Sequence, residues 1–252
     1  MKGFFFQRPV EYHLLAEGEE WVQGGQIHGT LRIKNTENTS VNLEMLQVGL
    51  AYGVFKKIKA KETDAWNAIQ TQVLAHNITF SPQEEQHYSW VLDLASDYPI
   101  TDKVGSLFLF YGDQDLYSQG RIDVRMKLFP FLQSFLQTFE TQFRFQKKYE
   151  KSKQEFTEVK LTPPDSKEFP TLDHILCLLR MHEGVMEIQY HFKMKSLGRL
   201  EEQDKMKVVR KKREHHQQFE DAQYAQGGFP NRECFRQAIQ EALEVAKPEA
   251  LF

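Results

Sequence analysis

The sequence predicts a mainly β protein built from two antiparallel β-sandwich domains, with a short helix at their junction and a second helix near the C-terminus. Apolar and polar side chains alternate within segments such as 88–94, which buries one face of each strand and leaves the other in water. Turns rich in Pro, Gly, Asn and acidic residues separate these segments at short intervals. The alternation gives way to a helical spacing once in the first 200 residues, directly after Phe129.

The first domain is predicted to span residues 1–128. Its alternating segments lie at 10–14, 26–35, 46–54, 73–80, 88–94, 107–111 and 122–128. The segment 56–67 carries four lysines and is predicted to be a charged loop between two strands. Since 40% of the 252 residues are hydrophobic and 20 are Phe, each domain can bury a core of its own.

The second domain is predicted to span residues 129–228 and to begin with a helix at 130–140. Leu132, Phe135, Leu136 and Phe139 recur at intervals of three and four, and Pro130 occupies the first turn, where its missing N–H has no helical partner to lose. Strands are predicted at 142–149, 156–161, 172–181, 185–194 and 205–213. The last of these carries the charges that commonly protect an edge strand from pairing with another sheet.

Residues 229–252 are predicted to form an amphipathic helix and a tail. Asn231 can cap the helix, and Lys247 followed by Pro248 ends it. Its apolar stripe consists of Phe235, Ile239 and Leu243. The stripe has to dock on its own domain or on a partner, and both interpretations stay open.

Two clusters of positive charge stand out, although the formal net charge is −3 and argues against a dedicated nucleic-acid binder. They are a solvated surface or a contact surface for an anionic partner or membrane, and the sequence leaves both open. The first cluster lies in 56–67 and the second in 205–213. Their members are Lys56, Lys57, Lys59 and Lys61, and then Lys205, Lys207, Arg210, Lys211, Lys212 and Arg213.

The sequence predicts neither a catalytic site nor a cofactor. Ser106 follows Gly105 outside any G-x-S-x-G frame, Asp113 and Asp115 lack the rest of a calcium loop, and the adjacent His215 and His216 have no spaced third ligand. The chain also shows no signal-peptide core and no run of about 18 apolar residues, so we expect a cytoplasmic protein.

Several short motifs, taken in order, resemble the arrestin-like superfamily and, within it, the bacterial sporulation-control proteins. The first half carries the turn SPQE at 81–84, where the family has a Pro-Gly-Glu turn, and the corner YPIT at 98–101. The second half carries FPFLQ at 129–133, FRF at 143–145, PP at 163–164 and LDH at 172–174. The resemblance covers residues 10–195 and departs from the family at Asp173 and His174 and in the last 40 residues.

The resemblance implies a non-catalytic adaptor or regulator that recruits other proteins. Binding at the inner membrane surface and a homo-dimer stay open as further options. The alternative is a β-sandwich that binds a small molecule or lipid at a concave aromatic site. Trp21, Trp66 and Trp90 are not clustered in sequence, but Trp21 and Trp66 lie near turns, where exposure is an option. An enzyme is the third and least favoured alternative.

Overall fold

A computed structural model describes residues 1–113, 120–165, 168–199 and 206–247; for residues 196–199 and 206–209 it describes the backbone alone. The chain divides into two compact units, Met1–Lys127 and Leu128–Phe252. Strands account for 58% of the structure and helices for 16%, so the predicted mainly β class is confirmed. Within the described residues, no helix combines the length and apolarity needed to cross a bilayer.

The first unit is a sandwich of two sheets. Its strands are β1 (Lys2–Gln7), β2 (Val10–Ala16), β3 (Glu20–Val22), β4 (Gln26–Asn35), β5 (Val41–Val54), β6 (Trp66–Phe80), β7 (Glu85–Asp93), β8 (Gly105–Gly112) and β9 (Gly120–Lys127). One sheet has the order β1-β2-β4-β7 and the other β3-β9-β8-β5-β6. All neighbours run antiparallel except β3 and β9, which pair in parallel over three residues.

The alternating residues of these strands meet in one core between the two sheets. Trp90 lies almost fully buried at the cross-strand position opposite Gly29. A Cβ at position 29 would lie 2.2 Å from the Trp90 ring, so only glycine leaves room for the indole. Leu31, Ile33, Leu92 and Leu109 extend the same core.

The sequence did not predict every element of the first unit, and the short strand β3 is one that it missed. Strand β1 was missed, because its Phe4, Phe5 and Phe6 form a continuous apolar run rather than an alternating one. The expected loop 56–67 begins instead with a one-and-a-half-turn helix, α1 (Phe55–Ala60), and β6 already starts at Trp66. Lys61 ends the helix in a left-handed conformation, which closes its last turn.

The second unit contains a five-stranded antiparallel sheet in the order β10-β11-β12-β13-β14. Its strands are β10 (Gln146–Lys153), β11 (Phe156–Thr162), β12 (Leu172–His182), β13 (Val185–Arg199) and β14 (Met206–Phe219), followed by the two-residue strands β15 (Ala225–Gln226) and β16 (Phe229–Pro230), which form a small hairpin. The basic segment lies on β14, an edge strand as predicted. Strand β10 starts four residues later than expected, and Phe145 precedes it as a buried residue of the turn.

Helices cover one face of this sheet. They are α2 (Pro130–Thr141), α3 (Asp221–Tyr224) and α4 (Arg232–Glu244). Phe135 of α2 packs edge-to-face on Phe235 of α4, with ring centroids 5.6 Å apart. Phe139 of α2 contacts Tyr190 of β13, which is fully buried on the covered face. We call this contact chain of aromatic rings the aromatic seam.

The C-terminal stripe is therefore not a free docking surface. Phe235, Ile239 and Leu243 are buried within their own unit, because the aromatic seam and the sheet beneath it already cover them. Of the two interpretations left open by the sequence, docking in cis is the one that the structure shows. The Arg213 guanidinium donates hydrogen bonds to the carbonyl oxygens of Val245 at 2.7 Å and Lys247 at 3.1 Å, and so holds the end of α4 against β14.

Replacing Phe235 by Ala should lower the free energy of unfolding by about 3–5 kcal/mol, because it leaves a cavity in a fully buried seam. Urea denaturation followed by circular dichroism measures the change. The exposed Gln240→Ala on the same helix is the control and should stay within about 0.5 kcal/mol of the wild type. A loss below about 1 kcal/mol for Phe235→Ala would mean that the helix does not contribute to the folded core.

The opposite face of the sheet carries charged networks. Glu158 of β11 accepts hydrogen bonds from the ammonium groups of Lys153 at 2.8 Å and Lys151 at 2.9 Å and from the Tyr149 hydroxyl at 2.9 Å. Burial by itself would raise the pKa of Glu158, but these three donors outweigh it and lower the pKa from 4.5 to about 2. The charged carboxylate is thus the stable form in the fold.

A lowered carboxyl pKa contributes stability above its unfolded value, and this contribution is lost as the pH falls through the folded value. For Glu158 the window runs from about pH 5 to about pH 2 and involves about 3 kcal/mol. Glu158→Gln should be less stable than the wild type at pH 7, with the difference shrinking across this window. Denaturation at a series of pH values tests this, with the exposed Glu140→Gln as a control that should follow the wild type throughout.

Candidate functional site

A cavity of about 370 Å³ lies at one end of the second unit's sheet, where the first residues of β12 meet β13 and β14. Its lining is strongly basic, with five Lys or Arg residues beside a single carboxylate, that of Asp173. The basic residues are Lys193, Lys195, Arg210, Lys211 and Lys212, joined by His174. We call this feature the basic cavity.

Strand register brings these side chains together, apart from that of Lys211, which stands opposite the buried Met194. In the β13–β14 pairing Lys193 stands directly opposite Lys212, and Lys195 stands opposite Arg210. His174 of β12 flanks Lys193 from the other side. An irregularity in the β12–β13 ladder leaves Asp173 outside the regular pairing, so that its carboxylate reaches both Lys195 and His174 Nδ1, the latter at 2.8 Å.

The electrostatics of the basic cavity are unfavourable without an anion. Like charges directly opposite each other on neighbouring strands destabilise a sheet. Burial lowers the pKa of Lys193, and the neighbouring Lys212 lowers it further. Asp173 offsets part of the charge through Lys195, and this contact lowers its own pKa. The remaining positive potential suits a carboxylate, phosphate or sulfate group.

The structure divides the predicted basic segment 205–213. Arg210, Lys211 and Lys212 border the basic cavity, but only Arg210 and Lys212 lie on its face of β14. Lys211 and Arg213 lie on the covered face, where Arg213 binds the end of α4. The Arg213 side chain is thus engaged within the fold, because alternation along the strand places it on the helix-covered face. Its role as a contact residue stays a prediction. Lys205 lies outside the described residues, and the side chain of Lys207 is likewise not described.

The other predicted cluster lies on α1 in the first unit. Lys56, Lys59 and Lys61 are exposed, and Lys57 forms an ion pair with Asp64. The hydrogen bond to Asp64 raises the pKa of Lys57. Exposed pairs of this kind contribute little to stability, so the cluster remains a predicted contact surface.

Sequence reasoning missed Asp173, His174, Lys193 and Lys195 as site residues. A signal for them exists: Glu183 and Gly184 mark the hairpin that places β12 beside β13, and 185–194 and 205–213 are consecutive strands. Pairing these two segments in register would have brought Lys193 to Lys212. The register itself needed the structure, since the residues between them lack a short-turn motif.

Two of the residues considered for catalysis or metal binding make contacts within the fold. Ser106 is fully buried, where its hydroxyl lies 2.5 Å from Asp123 Oδ1 and 2.8 Å from the Thr101 hydroxyl. His216 lies 3.1 Å from the carboxylate of Glu187. Across the described ranges, no three His, Cys, Asp or Glu side chains are grouped closely enough to hold a metal ion. Asp115 lies outside those ranges.

The aromatic residues named for a ligand-binding sandwich are engaged in packing. Trp21 is buried in the core of the first unit, which corrects its expected exposure near a turn. Trp66 packs edge-to-face on Phe108 at 5.0 Å and on Phe110 at 4.9 Å, and the guanidinium of Arg121 stacks over its ring. These contacts give both indoles a packing role.

The two-unit architecture is an arrestin-like fold, as the motifs predicted. Among solved structures, the chain is similar to Spo0M, a sporulation control protein from Bacillus subtilis. The similarity covers 95% of this chain and 100% of Spo0M, with a TM-score of 0.63 and 15% sequence identity. At this identity the likeness shows the fold.

Two partial similarities involve enzymes. A β-glucosidase from Listeria innocua matches 48% of this chain and 16% of its own, with 15% identity and a TM-score of 0.31. The alkylpurine DNA glycosylase AlkC from Pseudomonas fluorescens matches 48% of this chain and 31% of its own, with 15% identity and a TM-score of 0.29. Scores this low carry no argument about activity. No protein-family model and no curated protein matches the sequence.

Lys212→Glu should stabilise the protein by about 0.2–1 kcal/mol, because it replaces a like-charged cross-strand pair by an opposite-charged one facing Lys193. Denaturation at low and high salt measures this, and the gain should shrink as salt screens the charges. The exposed Lys56→Glu on α1 makes the same change of net charge and should leave stability within about 0.5 kcal/mol. A destabilised Lys212→Glu would show that the two lysines do not repel each other.

Proposed function

We propose that the protein is a non-catalytic, arrestin-like adaptor or regulator that binds a negatively charged segment of a partner protein at the basic cavity. The observation that carries the proposal is the pairing of Lys193 with Lys212 on adjacent strands. This pair disfavours the folded state, and an anion placed between the two ammonium groups relieves it. The proposal includes a cytoplasmic location.

The dimensions of the basic cavity support a small anionic group as the part that enters it. A volume of about 370 Å³ is close to the lower limit of small-ligand pockets and far below a whole protein interface. An acidic side chain of a partner fits this size, while Arg210 and Lys212 remain exposed at the rim. Exposed rim charges chiefly raise the association rate and make binding sensitive to salt.

The exposed lysines of α1 provide the matched comparison. The double variant Arg210→Glu/Lys212→Glu changes the basic cavity, and Lys56→Glu/Lys59→Glu changes α1 by the same net charge. Each tagged variant is used to capture proteins from a lysate of the source organism at rising salt, and the captured proteins are quantified by mass spectrometry. Circular dichroism and the melting temperature confirm that each variant is folded.

We expect the cavity variant to lose salt-sensitive partners that the wild type and the α1 variant retain, by about tenfold or more. Equal retention by all three proteins contradicts a role for the basic cavity. Loss in the α1 variant alone assigns the contact to α1. If neither variant loses a protein partner but the cavity variant no longer binds vesicles containing anionic lipid, the ligand is a membrane surface, and the protein-adaptor proposal fails.

A further inference from the structure

Strand β6 is a long edge strand that lacks the usual charged protection. Its fifteen residues, Trp66–Phe80, contain no Lys, Arg, Asp, Glu, Pro or Gly. Within the described residues it pairs with β5 on one side and with no strand on the other. An edge of this length exposes a row of backbone N–H and C=O groups to any strand that can pair with it.

The other long edges carry charge. Strand β10 has five Lys or Glu residues among eight, β14 has the run of basic residues from Arg210 to Arg213, and β7 begins with Glu85 and ends with Asp93. These side chains repel another edge of the same kind. On β6 only two bulges, next to Ile69 and Leu74, interrupt the edge, and they leave residues 70–73 in regular register with β5.

Two polar atoms within this regular stretch have unmet hydrogen-bonding capacity. The side-chain oxygens of Gln70 and Gln72 are buried and have no hydrogen-bond partner in the described part of the chain. Leaving such an acceptor unsatisfied costs about 1–3 kcal/mol. Both side chains lie on the same face of β6, because residues two apart share a face. Thr71, between them, is exposed on the opposite face.

We infer that β6 is the dimerisation edge of the protein, and that it pairs antiparallel with β6 of a second copy about a two-fold axis at Thr71. A two-fold axis perpendicular to the sheet leaves every side chain on its own face of the sheet. Directly opposite residues share a face, so their numbers are both odd or both even. The axis therefore passes through a residue position and not between two. With the axis at Thr71, Gln70 of each copy stands opposite Gln72 of the other. Each amide can then donate to a facing oxygen, once that oxygen turns from its buried position towards the strand edge.

A second copy fits this edge better than a charged partner does. The strand has no formal charge, so two copies bring no like charges together despite the net charge of −3. Glutamine is self-complementary because its amide carries both donor and acceptor. The pairing joins the five-stranded sheets of two copies into one ten-stranded sheet. The paired edge belongs to the first unit, whereas the basic cavity lies in the second.

The test is sedimentation velocity of the full chain over a hundredfold range of concentration. We expect a reversible dimer for the wild type. Thr71→Lys places two ammonium groups opposite each other at the axis and should raise the dissociation constant by about tenfold or more. Thr71→Glu should do the same with two carboxylates. An equimolar mixture of the Lys and Glu variants should restore dimers, because opposite charges then meet at the axis.

Ser89→Lys is the matched control, since Ser89 is an exposed residue of β7, the edge strand of the other sheet in the same unit. It should dimerise like the wild type. A wild type that stays monomeric over the whole range overturns the inference, and so does a dimer unaffected by Thr71→Lys. Failure of the mixture to recover dimers excludes the axis at Thr71. Loss of dimers in Ser89→Lys places the contact on a different edge.

Discussion

The aromatic seam between α2 and α4 is the interaction on which the chemistry of the second unit depends. Phe135, Phe235 and Phe139 cover the face of the sheet that includes Tyr190, and this face holds the apolar half of each alternating strand. A strand has only two faces. Because helices cover the apolar one, the polar and charged side chains of each strand lie on the other. The charged networks around Glu158 and Glu187, and the basic cavity at one end of the sheet, follow from that division.

The same division explains why neighbouring residues of one basic run have different roles. Lys212 faces Lys193 across the hairpin, whereas the next residue, Arg213, binds the carbonyl oxygens at the end of α4. A positive side chain at a helix C-terminus is favoured by the helix dipole, so Arg213 stabilises the fold. Its neighbour Lys212 destabilises the fold because it faces another lysine. Charge density alone therefore does not identify a contact surface; the face of the strand on which each charge lies does.

Local patterns were enough to predict most of the fold. Alternation located β4, β7 and most other strands, and the change of period at Phe129 located α2 within a residue of its observed end. Strand β1 was missed since three consecutive Phe residues show no period, and α1 since its few residues form less than two full turns. The basic cavity was predicted only in its β14 half. Its other half depends on cross-strand register and on the irregularity at Asp173, which no local pattern encodes.

The two edges β14 and β6 represent opposite solutions to one physical problem. Every open sheet ends in a strand whose backbone groups are half unpaired, and a charged edge repels both another edge and its own charged neighbours. On β14 the repulsion is extreme, because Lys212 also faces a lysine on the adjacent strand and burial already lowers the pKa of that lysine. On β6 charge is absent, and two unsatisfied glutamine oxygens remain instead. The proposed ligands differ accordingly: an anion for the charged edge, and a second neutral strand with amide groups for the uncharged one.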